Sequence, residues 1–213
     1  MRTIEDRIPG AGALLVLLHG AGDRAEHFAR HGLIADVRAR AWAVDIVAVD
    51  AHADNYLDKS VITRLHQEVI APELAARPRP LWIAGISLGG MGACLYARAH
   101  PGAVTGLLLL APFLAVRGTI AEVTRAGGLA AWQPGAIAPD DDERLLLRWL
   151  KEWQAGTGPD IWLGYGTNDR YAPASALLAA RLAPERVLTQ PGGHDWPTWQ
   201  ALWPCLLDRL VAR

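Results

Sequence analysis

The chain has 213 residues, 51% of them hydrophobic, so it can bury a sizeable core and is most simply one domain spanning residues 1–213. The formal net charge is -1, and the arginines are scattered rather than gathered in a basic stripe, which argues against nucleic-acid binding. The longest apolar runs, 13–18 and 106–113, are too short to cross a bilayer, so no membrane span is predicted.

The two cysteines and the N-terminal segment indicate the cellular compartment. Cys94 and Cys205 lie far apart in apolar helical patterns, which favours buried free thiols over a disulfide framework or a metal site. Residues 1–7 include acidic side chains, and no apolar stretch begins before Ala11, so the segment does not fit a signal peptide. The sequence therefore predicts a cytoplasmic protein in a reducing environment, with neither metal nor cofactor.

Short apolar strands alternate with helical patterns along most of the chain. Strands are predicted at 13–18, 45–51, 81–86, 106–113, 160–165 and 186–189, and helices at about 25–40, 60–76, up to 99 after the third strand, 174–182 and 197–213. Parallel neighbours need helical crossovers. The expected fold class is therefore α/β, a three-layer α/β/α sandwich on a mostly parallel sheet of six or seven strands.

The alternation is interrupted by the segment 114–159, interpreted as a cap-like insertion after the strand ending near Phe113. Its acidic run at 140–143 is expected at a helix N-terminus, where carboxylates interact favourably with the helix dipole. Three tryptophans in the segment either cover a site or pack it against the domain, namely Trp132, Trp149 and Trp153.

The central motif is Gly85-Ile86-Ser87-Leu88-Gly89, which follows an apolar strand and opens a small-residue helix. Such a turn projects the serine hydroxyl clear of the sheet, and the flanking glycines are needed because side chains would collide with neighbouring backbone. Because the chain has only three serines and 21 glycines, chance is a weak explanation of this pattern. The alternative is a glycine-rich structural turn with a capping serine.

A serine nucleophile needs a base, and the base needs an orienting acid. Ser87, Asp169 and His194 each follow a predicted strand and come in the order serine, acid, histidine. With these residues the sequence resembles the α/β-hydrolase superfamily, in particular small serine carboxylesterases and thioesterases such as the phospholipase/carboxylesterase and esterase-D-like proteins. The resemblance covers nearly the whole chain, and its motifs are 18–23, 85–89, 166–169 and 192–196. The last of these also resembles the histidine loop of feruloyl and S-formylglutathione esterases.

Other histidines and acids compete for these roles. His19 is expected to brace the first loop, and His52 follows a strand and could line a pocket, whereas the remaining four fall in predicted helices or at their ends: His27, His31, His66 and His100. Asp169 is favoured as the acid over the run 140–142 because it directly follows a strand. Asp195 adjoins His194 and is expected to cap the turn or the next helix.

The resemblance also implies an oxyanion hole and suggests a pocket. The fold supplies the backbone N–H of Leu88, and the second donor is expected from Ala21 in the first strand's loop, which Gly20 and Gly22 allow to approach closely. An apolar acyl pocket is suggested by position alone at Met91, Phe113, Leu114, Trp132 and Trp196, and core packing is the alternative for each.

The resulting hypothesis is a serine hydrolase that cleaves carboxylic esters or thioesters through an acyl-enzyme, with activity lost as His194 takes up a proton in acid. The same triad on another bond, as in a peptidase, lyase or perhydrolase, is an alternative, as is a non-catalytic ligand-binding relative. The expected partner is a small-molecule ester or thioester. A homodimer is a possible assembly.

Overall fold

A seven-stranded sheet forms the centre of the computed structural model, which describes residues 1–212. Its strands are β1 (Thr3–Asp6), β2 (Ala13–Leu18), β3 (Val44–Val49), β4 (Leu81–Ile86), β5 (Gly106–Leu110), β6 (Asp160–Gly166) and β7 (Val187–Gln190). They lie in the order β1-β3-β2-β4-β5-β6-β7, with β1 antiparallel to β3 and the other neighbours parallel. The predicted mostly parallel sheet is confirmed. The short, partly exposed edge strand β1 was not predicted.

Helices cover both faces of this sheet. They are α1 (Glu26–Arg30), α2 (Leu33–Ala39), α3 (Ala53–Leu57), α4 (Val61–Leu65), α5 (Ala71–Ala76), α6 (Leu88–Ala99), α7 (Arg117–Arg125), α8 (Asp142–Glu152), α9 (Ala172–Ala179) and α10 (Trp196–Val211), with a π-helical turn at His66–Ile70 and a 3-10 turn at Pro184–Arg186. In residues 1–212 no helix is both long and apolar enough to span a bilayer.

Two apolar cores separate the three layers of the predicted sandwich. In β2, Leu14 and Val16 point into the core shared with α4 and α6 to α9, whereas Leu15 and Leu17 point into the core shared with α1, α2 and α10. Because successive side chains of a strand point to opposite faces, a strand buried on both faces must be apolar throughout. All six residues of β2 are buried accordingly.

Several predicted boundaries shift for local reasons. The helix predicted at 25–40 divides into α1 and α2 at Gly32, which has φ 82°, a left-handed conformation that a continuous helix excludes. The strand predicted to Phe113 ends at Leu110, because Ala111 has φ 45° and Pro112 has no N–H to donate. Cys94 is buried as expected, but Cys205 is exposed on α10, which corrects that prediction.

The segment 114–159 contains α7 and α8, packed onto the α6 side of the sheet. Trp132 and Trp153 are buried, and their indole N–H groups donate to the carboxylate of Glu122 (2.9 Å) and to the carbonyl of Pro159 (3.0 Å). Both therefore pack the segment against the domain. The acidic run stands at a helix N-terminus as predicted, where Asp141 accepts a hydrogen bond from the backbone N–H of Arg144 (3.0 Å).

Candidate active site

The loops after β2, β4, β6 and β7 meet at one edge of the sheet, because parallel strands end on the same side. The β2 loop carries His19 to Asp23, the β4 loop carries Ser87, the β6 loop carries Asp169, and the β7 loop carries His194. Residues far apart in sequence are brought together there.

Ser87 occupies a strained backbone position between β4 and α6. Its φ is 51° and its ψ is -114°, a region that residues with a side chain rarely adopt. The surrounding backbone fixes the turn, since the Ser87 N–H donates to the Leu110 carbonyl (3.0 Å) and the Ser87 carbonyl accepts from the N–H groups of Gly90 and Phe113, both at 2.9 Å. Strain of this kind is retained where the neighbouring structure enforces it.

Close backbone contacts explain the two glycines that flank the serine turn. A Cβ on Gly85 would overlap the backbone of Gly89, and a Cβ on Gly89 would overlap the carbonyl group of Leu18 at the end of β2. The glycines therefore allow α6 to start directly against the sheet, beside the loop that contains Ala21.

A continuous row of hydrogen bonds joins the serine, the histidine and the aspartate. Nε2 of His194 lies 2.8 Å from Oγ of Ser87, and Nδ1 lies 2.6 Å from Oδ2 of Asp169. An ionised carboxylate only accepts, so the Nδ1–H donates to Asp169 and leaves Nε2 able to accept the serine proton. Oδ1 of Asp169 in turn accepts from the backbone N–H of Tyr171 (2.7 Å). In this arrangement His194 can take the hydroxyl proton of Ser87.

The two loops that carry the aspartate and the histidine are joined through their backbones. The N–H of Thr167 donates to the backbone carbonyl of Gln190 (2.8 Å), and the N–H of Asn168 donates to the backbone carbonyl of Gly192 (3.0 Å). Edge-on aromatic rings hold the imidazole of His194, with ring centres 4.7 Å away at Tyr171 and 5.1 Å away at Trp199. These contacts fix the orientation of a side chain that is otherwise carried by a loop.

The competing acids have other partners. Asp195 caps α10, accepting from the N–H (3.0 Å) and the hydroxyl (2.6 Å) of Thr198, as expected from its position next to the histidine. Asp141 pairs with Arg144, and Asp142 pairs with Arg98. Asp169 is thus the carboxylate that the structure places against His194.

Two backbone N–H groups near Ser87, one in the β2 loop and one at the start of α6, have no acceptor in the described part of the chain. Among residues 1–212, neither Ala21 nor Leu88 donates its N–H to a backbone carbonyl or a side-chain acceptor. Gly20 lies beside Ser87, since a Cβ at Gly20 would be 3.5 Å from the Cβ of Ser87. Free N–H groups beside Ser87 can stabilise negative charge on an atom bound there.

Side chains hold this loop in place from both sides. The indole N–H of Trp196 donates to Asp23 (3.2 Å), whose carboxylate also lies 2.7 Å from Nδ1 of His27, so the loop is tied to the start of α10. Trp196 itself stacks on His31, with ring centres 4.1 Å apart. No sequence pattern had suggested this connection between the β2 loop and the residues that follow His194.

His19 is buried beneath the same loop and braces it, in line with the expectation from the resemblance. Its Nδ1–H donates to the carbonyl of Gly20 (2.8 Å), and its Nε2 lies 3.8 Å from Oδ1 of Asp50. Burial lowers the pKa of His19, because the charged imidazolium would lose its hydration. His52, in contrast, is exposed and does not line the groove described next.

An open groove of about 740 Å³ adjoins Phe113 and Tyr171. Its walls come from the end of the β5 loop, from α7 and from the start of α9, and they comprise Phe113, Ala115, Val116, Arg117, Ile120, Ala121, Thr124, Arg125, Arg170, Tyr171, Pro173 and Ala174. This lining corrects most of the predicted pocket. Phe113 lines the groove, but Met91, Leu114 and Trp132 are buried in the core and Trp196 packs on His31.

The sequence-based prediction missed most residues of the groove because groove walls and the hydrophobic core use the same apolar side chains. An apolar residue that follows a strand can lie in either place. The helical spacing of the α7 residues that line the groove is visible in the sequence, but it does not say which neighbour that face of the helix contacts.

No group of three or more histidine, cysteine or acidic side chains in the described residues 1–212 is arranged to hold a metal ion.

Comparison with known proteins identifies a family. Residues 21–207 match the sequence profile of the Esterase family, whose description reads "Putative esterase". No curated protein sequence matches the chain significantly.

Solved structures resemble the chain over nearly its whole length. Est1E from Butyrivibrio proteoclasticus with ferulic acid bound is 17% identical, covering 100% of this chain and 96% of its own, with a TM-score of 0.64. The S-formylglutathione hydrolase from Staphylococcus aureus is 14% identical, covering 93% and 81%, with a TM-score of 0.61. The fluorophosphonate-binding serine hydrolase F from Staphylococcus aureus is 15% identical, covering 96% and 86%, with a TM-score of 0.57. At these identities the similarity shows the fold.

The contact between Gly89 and Leu18 can be tested by adding one methyl group. Alanine for glycine in a helix normally stabilises by about 0.5–1 kcal/mol. At Gly89 the added Cβ would overlap the Leu18 carbonyl, so we expect Gly89→Ala to destabilise by about 2 kcal/mol or more in urea unfolding. Gly118→Ala is the matched control on α7, because nothing lies within 4 Å of its Cβ, and it should be neutral or stabilising. Equal effects of the two changes would contradict the proposed contact.

The lowered pKa of His19 predicts a pH-dependent stability. In the unfolded chain a histidine takes up a proton near pH 6.5, whereas His19 resists protonation in the folded state. The unfolded state then binds more protons, so the free energy of unfolding falls as the pH falls below about 6.5. His19→Asn keeps an N–H for Gly20 and removes this titration. Urea unfolding is measured between about pH 7.5 and 5 for both proteins. The free energy of unfolding of the wild type should exceed that of His19→Asn by less as the pH falls. A constant advantage would show that His19 does not titrate differently on folding. His52→Asn serves as the exposed control.

Proposed function

Because the chain belongs to the Esterase family and has the α/β-hydrolase fold, we propose that its ester-hydrolysing activity works through Ser87, His194 and Asp169, on carboxylic esters or thioesters. The observation that carries the proposal is the unbroken row of hydrogen bonds from serine to histidine (2.8 Å) and from histidine to aspartate (2.6 Å). A nucleophile, a base and an orienting acid in hydrogen-bond contact are the elements of acyl transfer.

The proposed reaction has two halves. Oγ of Ser87 attacks the acyl carbon while Nε2 of His194 takes the hydroxyl proton, and the bond to the alcohol or thiol then breaks as His194 returns that proton to the leaving atom. The acyl group is left as an ester on Ser87. Water repeats the sequence, giving up a proton to His194 and releasing the carboxylic acid and the free serine. Asp169 stabilises the imidazolium in both halves.

The oxyanion of each tetrahedral intermediate is assigned to the backbone N–H groups of Ala21 and Leu88. These groups are held before the substrate arrives, Leu88 by the start of α6 and Ala21 by the anchored β2 loop. A fixed donor of this kind contributes roughly 3 kcal/mol to transition-state stabilisation. The positive end of α6, which begins at Leu88, adds to the attraction for the developing negative charge.

The relatives support acyl substrates of this general type. One neighbour is named an S-formylglutathione hydrolase, and another was solved with ferulic acid bound. The apolar groove next to Phe113 and Tyr171 offers room for the hydrocarbon part of such a substrate. We therefore place the substrate class among small esters and thioesters with an apolar acyl part.

A fluorophosphonate probe tests the nucleophile directly. The wild type should label at one site, and Ser87→Ala should abolish the labelling and lower kcat for an ester by about 10⁴-fold or more. Asp169→Asn should still fold and should lose about 10⁴-fold in kcat, because the imidazole would adopt the wrong tautomer. The chain has only two other serines, and Ser60→Ala is the control that should label fully. Undiminished labelling of Ser87→Ala would refute the assignment.

The bond that is cleaved can be identified with paired substrates. We expect p-nitrophenyl esters and the corresponding acyl thioesters to be hydrolysed, with kcat/KM rising from acetyl to medium-length acyl chains as more hydrocarbon enters the groove. Each added methylene that is fully buried should contribute about 0.8 kcal/mol, or roughly fourfold in kcat/KM. Turnover of a peptide or anilide without turnover of either ester would instead assign the triad to amide cleavage.

A further inference from the structure

The groove begins beside the proposed catalytic residues. The ring of Tyr171 is 4.7 Å from His194 and 5.7 Å from Phe113, measured between ring centres. The backbone N–H of Phe113 donates to the carbonyl of Ser87 (2.9 Å). Phe113 and Tyr171 thus form the inner end of the groove, next to the residue that would carry the acyl group.

One face of α7 forms a long wall of this groove. The α7 residues in the wall are 117, 120, 121, 124 and 125, a spacing that places them on a single side of the helix. The middle of that face is apolar, with Ile120 and Ala121, and an arginine stands at each end. Arg117 and Arg125 are eight residues apart, which corresponds to about 12 Å along the helix axis. The wall is therefore long enough for a hydrocarbon chain of medium length.

The lining of the groove, as formed by the described residues, carries positively charged side chains and no negatively charged ones. Three arginines line it, Arg117, Arg125 and Arg170, and its lining contains no carboxylate. Within residues 1–212 none of the three forms an ion pair. The guanidinium of Arg170 lies 4.9 Å from the centre of the Tyr171 ring, which keeps it at the inner end of the groove.

Two acidic residues lie near the α7 wall of the groove, and one of them is paired away from it. Glu122 of α7 binds Arg144 (2.7 Å) and the indole of Trp132 (2.9 Å). Glu143 accepts from the backbone N–H of Val116 (3.0 Å), the neighbour of Arg117 in the chain, so one carboxylate stands at the edge of the groove. Against this one carboxylate stand three arginines, so the groove keeps an excess of positive charge for a ligand.

We propose that the groove binds an acyl chain that is apolar along its length and ends in an anionic oxygen group, so that the substrates are half-esters of dicarboxylic acids or similar anionic acyl esters. The apolar strip would take the hydrocarbon, and the guanidinium groups match a carboxylate with paired N–H donors. The acyl side is chosen because Ser87, to which the acyl group becomes attached, adjoins the inner end of the groove. This inference rests on the proposed function.

The test compares p-nitrophenyl half-esters of dicarboxylic acids of six to twelve carbons with the same compounds capped as methyl esters. The quantity measured is the ratio of kcat/KM for the anionic compound to kcat/KM for the capped one. We expect the wild-type ratio to exceed one by about five- to fiftyfold and to fall as NaCl is added, because exposed charge pairs are screened.

Two arginine variants connect the ratio to the groove. Arg117→Gln and Arg125→Gln should each lower it by about two- to fivefold, and the double variant should lower it further, leaving only the part that Arg170 supplies. Arg170 is left in place because it adjoins Asp169. Arg148→Gln is the matched control, since Arg148 is exposed on α8, has no ion pair within residues 1–212 and lies outside the groove. This control should keep the wild-type ratio.

The outcomes separate this inference from the proposed function. Hydrolysis of the capped esters with a ratio near one in the wild type would overturn the anionic groove and leave the esterase intact. A second pair, acetate esters of a hydroxy acid with its carboxylate free or capped as a methyl ester, places the charge in the alcohol part. A preference for the anion in this pair and not in the half-esters would overturn the acyl assignment. Absence of both hydrolysis and fluorophosphonate labelling would overturn the proposed function together with this inference.

Discussion

The close approach of α6 to the end of β2 is the constraint on which the rest of the site depends. Gly89 lies against the carbonyl of Leu18 with no room for a side chain, and Gly85 lies equally close to Gly89. Ser87 between them is forced to φ 51°, a conformation that costs free energy and directs its hydroxyl away from the sheet. The same contact places the Leu88 N–H beside the β2 loop. One packing requirement thus positions both the serine and the neighbouring N–H donors.

The sheet supplies the second constraint, because it fixes the order in which loops meet. Ser87 and His194 are 107 positions apart, yet β4, β5, β6 and β7 are consecutive neighbours whose ends share an edge. Backbone hydrogen bonds from Thr167 and Asn168 then hold the aspartate and histidine loops together. The histidine is consequently oriented by its surroundings rather than by its own loop alone, which gives the fixed geometry that the proposed acyl transfer would need.

The segment 114–159 adds a different property to this common scaffold. α7 buries one side in the core and turns another towards the groove, where its end positions carry arginines. Its acidic residue Glu122 is drawn to Arg144 and Trp132 on a different side of the helix. The distribution of charge between two faces of one short helix therefore supplies two of the three arginines that line the groove next to Ser87.

The sequence by itself determined the alternation of strands and helices, the turn around Ser87 and the capping role of Asp195, because these depend on local periodicity, glycine geometry and short-range hydrogen bonds. It also placed Asp169 and His194 after strands, but the contacts of His194 with Ser87 and with Asp169 depend on the strand order. Only the tertiary structure decided which residues line the groove. Leu114 and Trp132 are residue types that often line pockets, yet they lie in the core. Tyr171 and one face of α7 line the groove instead. Core and pocket use the same apolar side chains, so what distinguishes them is the packing of elements remote in sequence.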